Sequence, residues 1–134
     1  MRGLLIPVAR AKPIIPVDIP DNETGTSRLQ AMRNLIGGGW LEPVHTQLLM
    51  DTIDRAQSPY LYRLVMMVDE EGAGHLPINS RASLLYAPGK VHIYGPVIIL
   101  GEYRDPMEGD DITTLPDYYT ANYLTAHLNV LSGE

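Results

Sequence analysis

The run from Leu64 to Glu102, LVMMVDEEGAGHLPINSRASLLYAPGKVHIYGPVIILGE, constrains the fold more than any other part of the chain. An unbroken apolar stretch ends at Asp69-Glu70-Glu71-Gly72, a turn composition. Leu76-Pro77-Ile78-Asn79 then opens a short helix from Ser80 to about Ala87. Asn79 is its cap and Pro88-Gly89 its stop. A second apolar stretch runs from Val91 to Leu100. Gly95-Pro96 interrupts it, which predicts a bulge or an edge there.

The flanking segments extend this pattern. Leu4 to Val8 and Ile14 to Ile19 read as a strand hairpin, pushed toward an edge by Pro7, Pro13 and Pro16. Pro20 to Gly25 is a loop. Ser27 caps a helix in which Leu29, Met32, Leu35 and Ile36 recur at helical spacing, and Gly37-Gly38-Gly39 stops it. Trp40 to His45 is extended, with Pro43 marking an edge. Thr46 to Ala56 is ambiguous, with a short helix as one reading. Tyr60 to Val68 is a strand. Glu102 to Pro116 reads as an acidic loop. The expected fold of the 134 residues is a single α+β domain: a mostly antiparallel sheet with about three helices, in two layers.

The segment from Asp117 to Ser132, DYYTANYLTAHLNVLS, carries two apolar stripes when placed on a helix. Tyr119, Tyr123, Ala126 and Val130 fall on one side. Ala121, Leu124, Leu128 and Leu131 fall nearly opposite. No Asp, Glu, Lys or Arg occurs from Tyr118 through Gly133. One stripe suffices for a helix on a sheet, so the second predicts a homo-oligomer, a dimer or larger, with Tyr119, Tyr123, Leu124, Leu128 and Leu131 at the interface. The competing reading buries both stripes within one domain.

Net charge is −6, and the basic residues are scattered, which disfavours nucleic acid as a partner. The eight arginines outnumber the two lysines. Bidentate anion binding is one explanation; codon bias is the plainer one. No apolar run reaches the ~18 residues of a membrane span. The apolar patch before Pro7 is too short for a signal-peptide core. With no cysteine, disulfides and thiolate metal sites are excluded, and the cytoplasm is the expected location.

Candidate sites are few. Asn79 and Arg81, at a helix start, suit an anionic ligand, with Tyr86 and Tyr94 nearby in sequence as stacking residues. The competing reading is a capping Asn beside an exposed Arg. Asp69, Glu70 and Glu71 fit a solvated turn better than paired carboxylates. Gly37 to Gly39 follows a helix, which is the wrong context for a phosphate loop. Glu102, Asp105, Glu108, Asp110 and Asp111 lack the alternating spacing of a calcium loop. His45, His75, His92 and His127 show no metal-ligating spacing. No nucleophile motif appears, so no metal, cofactor or catalytic residue is expected.

Three stretches, LQAMRNLIGGGWLEPV, MMVDEEGAGHLPINSRA and YGPVIILG, carry a family resemblance. From about Leu29 to Leu115 the chain resembles an uncharacterised domain family of small proteins from actinobacteria and their phages. The shared elements are a Gly-Gly-x-hydrophobic-Glu step, an Asp-Glu-Glu-Gly turn, a Leu-Pro-x-Asn-x-x-Ala step and a Gly-x-Val strand. The connection from His45 to Leu61 is longer than the family's, and the C-terminal helix lies outside its pattern. The resemblance implies an α+β fold and a phage or mobile-element setting, with no assigned activity. The expected function is therefore a non-enzymatic accessory protein, with counter-defence as a setting, that sequesters a small, nucleotide-like anion. Alternatives are a protein inhibitor of a host factor and a small enzyme on a nucleotide or peptide.

Overall fold

The computed structural model describes residues 1–20, 26–46, 61–86, 91–105 and 109–133. Among the described residues, six strands form one antiparallel sheet. β1 (Arg2–Ile6), β2 (Ile15–Asp18), β3 (Leu41–His45), β4 (Leu61–Asp69) and β5 (Val97–Asp105) are ordered β2-β1-β5-β4-β3. β6 (Gly109–Thr113) also pairs with β5. β1 pairs with Val97 to Ile99, whereas β6 pairs with Gly101 to Asp105, so both lie along the same side of β5. Among the described residues, three α-helices accompany it: α1 (Thr26–Ile36), α2 (Ser80–Tyr86) and α3 (Ala121–Ser132).

The two central strands are apolar without alternation because both faces of the sheet are covered. Leu64, Met66 and Val68 of β4 join Val97 and Ile99 of β5 in one cluster, with Leu85 of α2 and Leu124 and Leu128 of α3. Val65, Met67, Ile98 and Leu100 point the other way, against Met32 and Ile36 of α1. Strand residues alternate between faces, so one continuous apolar run supplies two cores. The expected α+β class, antiparallel sheet and three helices are what the chain forms. The expectation of two layers is corrected: α1 takes one face and α2 with α3 the other, so the sheet is the middle of three layers.

Proline marks the edges. Pro16 sits in edge strand β2 and Pro43 in edge strand β3, where a missing donor costs no ladder bond. β1 itself is interior, between β2 and β5, and Pro7 falls just past its end. α1 begins at Thr26, which places Ser27 inside its first turn. Gly37 and Gly38 donate to the Arg33 carbonyl as the helix ends. The expected interruption at Gly95 is present: Tyr94 makes an isolated bridge to Ile78 and β5 starts only at Val97.

The acidic segment after Glu102 departs from expectation. It is a hairpin, with Glu102 opposite Ile112 and Tyr103 opposite Asp111. The ladder bonds are made by the main chain, so a carboxylate-rich composition does not prevent pairing. Residues 106–108, Glu108 among them, lie outside the described residues. So do residues 47–60, which include most of the ambiguous segment, and residues 87–90, with the expected helix stop.

Candidate ligand-binding groove

The segment between β1 and β2 arches over the start of α2, and Arg81 holds it there. The Arg81 guanidinium donates to the carbonyls of Pro7, Ala9 and Lys12 at 2.8, 3.0 and 2.9 Å. Ala9 also accepts from the Lys12 N–H at 3.0 Å, which closes a turn. Arg10 stands in that turn. Burial, and secondarily the charge of Arg10, push the Arg81 guanidinium below its ordinary pKa. Carbonyl partners take up its terminal nitrogens, whereas its buried Nε has no hydrogen-bond partner among the described residues; neutral carbonyls do not cancel its positive charge.

These two arginines border a surface groove made of two adjoining hollows. The first, about 370 Å³, is walled by Arg10, Arg81, Ile14, Leu84 and the α3 residues Thr125, Leu128, Asn129 and Ser132. The second, about 450 Å³, shares Arg10, Leu84 and Ser132 and continues past Ile78, Ser83, Val91, His92 and Leu131. Among the described residues, no Asp or Glu lines either hollow.

The residues singled out in sequence are distributed differently from expectation. Arg81 reaches the groove, chiefly as the clamp that presents Arg10. Asn79 does not: it is fully buried. Its amide donates to the carbonyls of Ile6 and Gly95, each at 3.0 Å, and its Oδ1 accepts the Ala82 N–H at 3.1 Å. With both donors committed to main chain, Asn79 is a structural lock and the capping reading is the correct one. Tyr86 and Tyr94 line a different hollow of about 210 Å³, in the company of Glu42, Asp69 and Glu70. An anion would be repelled there, so the tyrosines provide no stacking surface beside Arg81.

Asp69 serves the turn, accepting the Glu71 N–H at 2.9 Å, and its side chain is 3% exposed. On β5, Glu102 is buried and meets His45 Nε2 at 3.0 Å. His75 lies 3.9 Å from Asp69, His92 packs edge-on to Tyr94, and His127 stacks on Tyr123. Among the described residues, no three of His, Asp and Glu converge on a metal position.

The C-terminal helix divides its stripes. Thr120 caps it through the Tyr123 N–H at 3.0 Å, and Gly133 closes it in the left-handed conformation. Leu124, Leu128 and the preceding Tyr119 are buried against the chain's own sheet, and Leu131 packs partly against the same cluster. Their assignment to an oligomer interface is therefore corrected: they belong to the intramolecular core. Tyr123 is half-buried in a ring cluster with Tyr118 and Tyr119, centroids 4.9 and 5.5 Å away. Ala126 and Val130 of the second stripe are exposed, Val130 at 76%.

Arg10 is the groove residue that sequence reasoning missed. It looked like one scattered basic residue, because the partner that gives it a setting, Arg81, is distant in sequence. No described helix is long and apolar enough to cross a membrane. Comparison with protein families, with characterised proteins and with solved structures finds no match.

Proposed function

We propose that this chain is a binding protein for a small anionic ligand, held in the groove beside Arg10 and Arg81. One observation carries the reading: two neighbouring guanidinium groups border a groove that no carboxylate of the described residues lines, in a chain of net charge −6. An anion there is drawn toward both guanidinium groups. Asn129 lines the same hollow. The resemblance to phage and actinobacterial proteins suggests sequestration within a mobile-element setting. The binding reading needs no catalytic group, and none is assigned.

Thermal unfolding with phosphate, nucleotides and short carboxylates tests it. A ligand at a hundredfold excess over its dissociation constant adds about 2.7 kcal/mol of stability. Arg10 is exposed, so Arg10→Ala is expected to fold and to lose the shift. No shift with any anion, or a full shift in Arg10→Ala, overturns the proposal.

A second reading is favoured by the outer face of α3, which we propose contacts a second copy of the chain. Val130 and Tyr118, 76% and 50% exposed, stand on a segment free of charged residues. Two copies with a charge of −6 each repel least where they meet through such a neutral face. A twelve-residue helix is about 18 Å long. That face is small against the ~800 Å² per partner of a stable complex, so the association expected is weak.

A further inference from the structure

We infer that the hollow lined by Tyr86 and Tyr94 is a second binding site, for a small methylated ammonium ion held against aromatic rings. The inference stands apart from the anion groove and needs neither arginine.

The hollow, about 210 Å³, combines apolar and aromatic lining. Val44 of β3 and Val68 of β4 supply apolar surface. Tyr86, the last residue of α2, and His92 and Tyr94, on the approach to β5, supply rings. The rings of His92 and Tyr94 stand edge to face, with centroids 6.4 Å apart and planes at 68°, so they make a corner rather than a flat stack. The main chain around Tyr94 is fixed on both sides. The Asn79 N–H donates to the Ile93 carbonyl and the Gly95 N–H to the Pro77 carbonyl, each at 2.8 Å. Rings set in advance at an angle cost little ordering when a ligand arrives, and ring faces attract cations.

The charge around the rings has the matching sign. Glu42 and Glu70 line the same hollow, both exposed, and no Lys or Arg among the described residues does. Glu42 lies opposite Val68 in the β3–β4 ladder, so strand alternation puts both on the hollow's face of the sheet. These carboxylates are not gathered as metal ligands, since among the described residues no three of His, Asp and Glu converge. Spread around aromatic walls, they attract a bulky cation without coordinating it.

The head group follows from hydrogen-bonding demand. A primary ammonium is compact and strongly hydrated, and its three N–H groups require acceptors once it leaves water. Ring faces are poor substitutes. A quaternary ammonium has no N–H to satisfy and meets the rings through its methyl groups. The hollow has the room of about seven water molecules, enough for a trimethylammonium head.

Calorimetric titration of the whole chain tests this. The probes are ammonium, its methylated series up to tetramethylammonium, and choline beside the neutral isostere in which carbon replaces nitrogen. Affinity is expected to rise with each methyl, and choline to bind about tenfold tighter than its isostere. Tyr94→Phe, which keeps the ring, is expected to bind as the wild-type chain does, and Tyr94→Leu about tenfold more weakly. Glu42→Gln, at an exposed position, is expected to weaken choline about threefold and leave the isostere unchanged. A series that is flat or falls with methylation overturns the methylated head group. Equal binding of choline and its isostere overturns the cation, and equal loss in Tyr94→Phe and Tyr94→Leu overturns the ring contact. Failure of every member to bind overturns the site and leaves the anion reading untouched.

Discussion

The amide of Asn79 donates to the carbonyl of Ile6, 73 residues earlier in the chain, at 3.0 Å. A second bond to the Gly95 carbonyl, also at 3.0 Å, completes a bracket between the end of β1, the start of α2 and the approach to β5. Ser83 adds to it by accepting the Ile93 N–H at 2.8 Å. The same bracket fixes where the arch carrying Arg10 begins.

Asn79→Ala is expected to destabilise the fold by about 2–4 kcal/mol in urea unfolding, since two buried carbonyls lose their donor and α2 loses its cap. Asn79→Asp separates the two contributions. It keeps an acceptor for the Ala82 N–H but has no donor for Ile6 or Gly95. It should therefore recover little; recovery to wild-type stability would show that the cap alone matters.

Gly39 gives a second prediction, because its neighbourhood differs from that of Gly38. Both have positive φ, 85° and 91°. A Cβ on Gly39 would lie 2.7 Å from both Asp69 carboxylate oxygens, whereas one on Gly38 meets nothing within 4 Å. Gly38→Ala is expected to cost about 1 kcal/mol, the left-handed backbone penalty. Gly39→Ala should cost at least twice that, because Asp69 is held by the Glu71 N–H and must shift. Equal midpoints for the two variants in denaturant would mean that Asp69 yields freely.

Much of this architecture was legible in the run from Leu64 to Glu102. Its strands, turn and cap are local, and local composition encodes them. The second covered face was missed, although the signal was present: Leu64 to Val68 and Val97 to Leu100 never alternate with polar residues, as a half-exposed strand would. What stayed hidden depends on residues distant in sequence. Arg10 gains its place from Arg81, Glu102 is buried beside His45, and Asn79 finds its acceptors at Ile6 and Gly95. The β5–β6 hairpin was hidden for another reason: main-chain pairing carries it through an acidic stretch that reads as a loop.

The tyrosines before α3 predict an alkaline titration. The hydrogen bond Tyr118 shares with Tyr123, then the charge of Tyr123, hold the Tyr118 phenol above its ordinary pKa. A pKa raised in the folded state favours the protonated form. The associated stability is fully present below the unfolded tyrosine pKa and is lost as pH rises through the folded one. Ultraviolet titration of the phenolates should show a late-ionising tyrosine that disappears in Tyr118→Phe. A Tyr118→Phe titration that keeps the late step would assign it elsewhere.

The divided stripes of α3 yield a prediction in which stability and self-association part company. Leu128 is 4% exposed in the core, whereas Val130, two residues on, is 76% exposed. Leu128→Ala is expected to cost about 2–5 kcal/mol, as a cavity opens under the helix. Val130→Asp should change stability by less than about 0.5 kcal/mol, as a surface substitution does. If a second copy uses the outer face, Val130→Asp places two like charges into a neutral contact and abolishes it. Sedimentation equilibrium over a wide concentration range reads this directly. The wild-type chain should show concentration-dependent mass and Val130→Asp a constant monomer mass. A wild-type chain that stays monomeric at millimolar concentration would leave Val130 as one more exposed apolar residue on a monomer's surface.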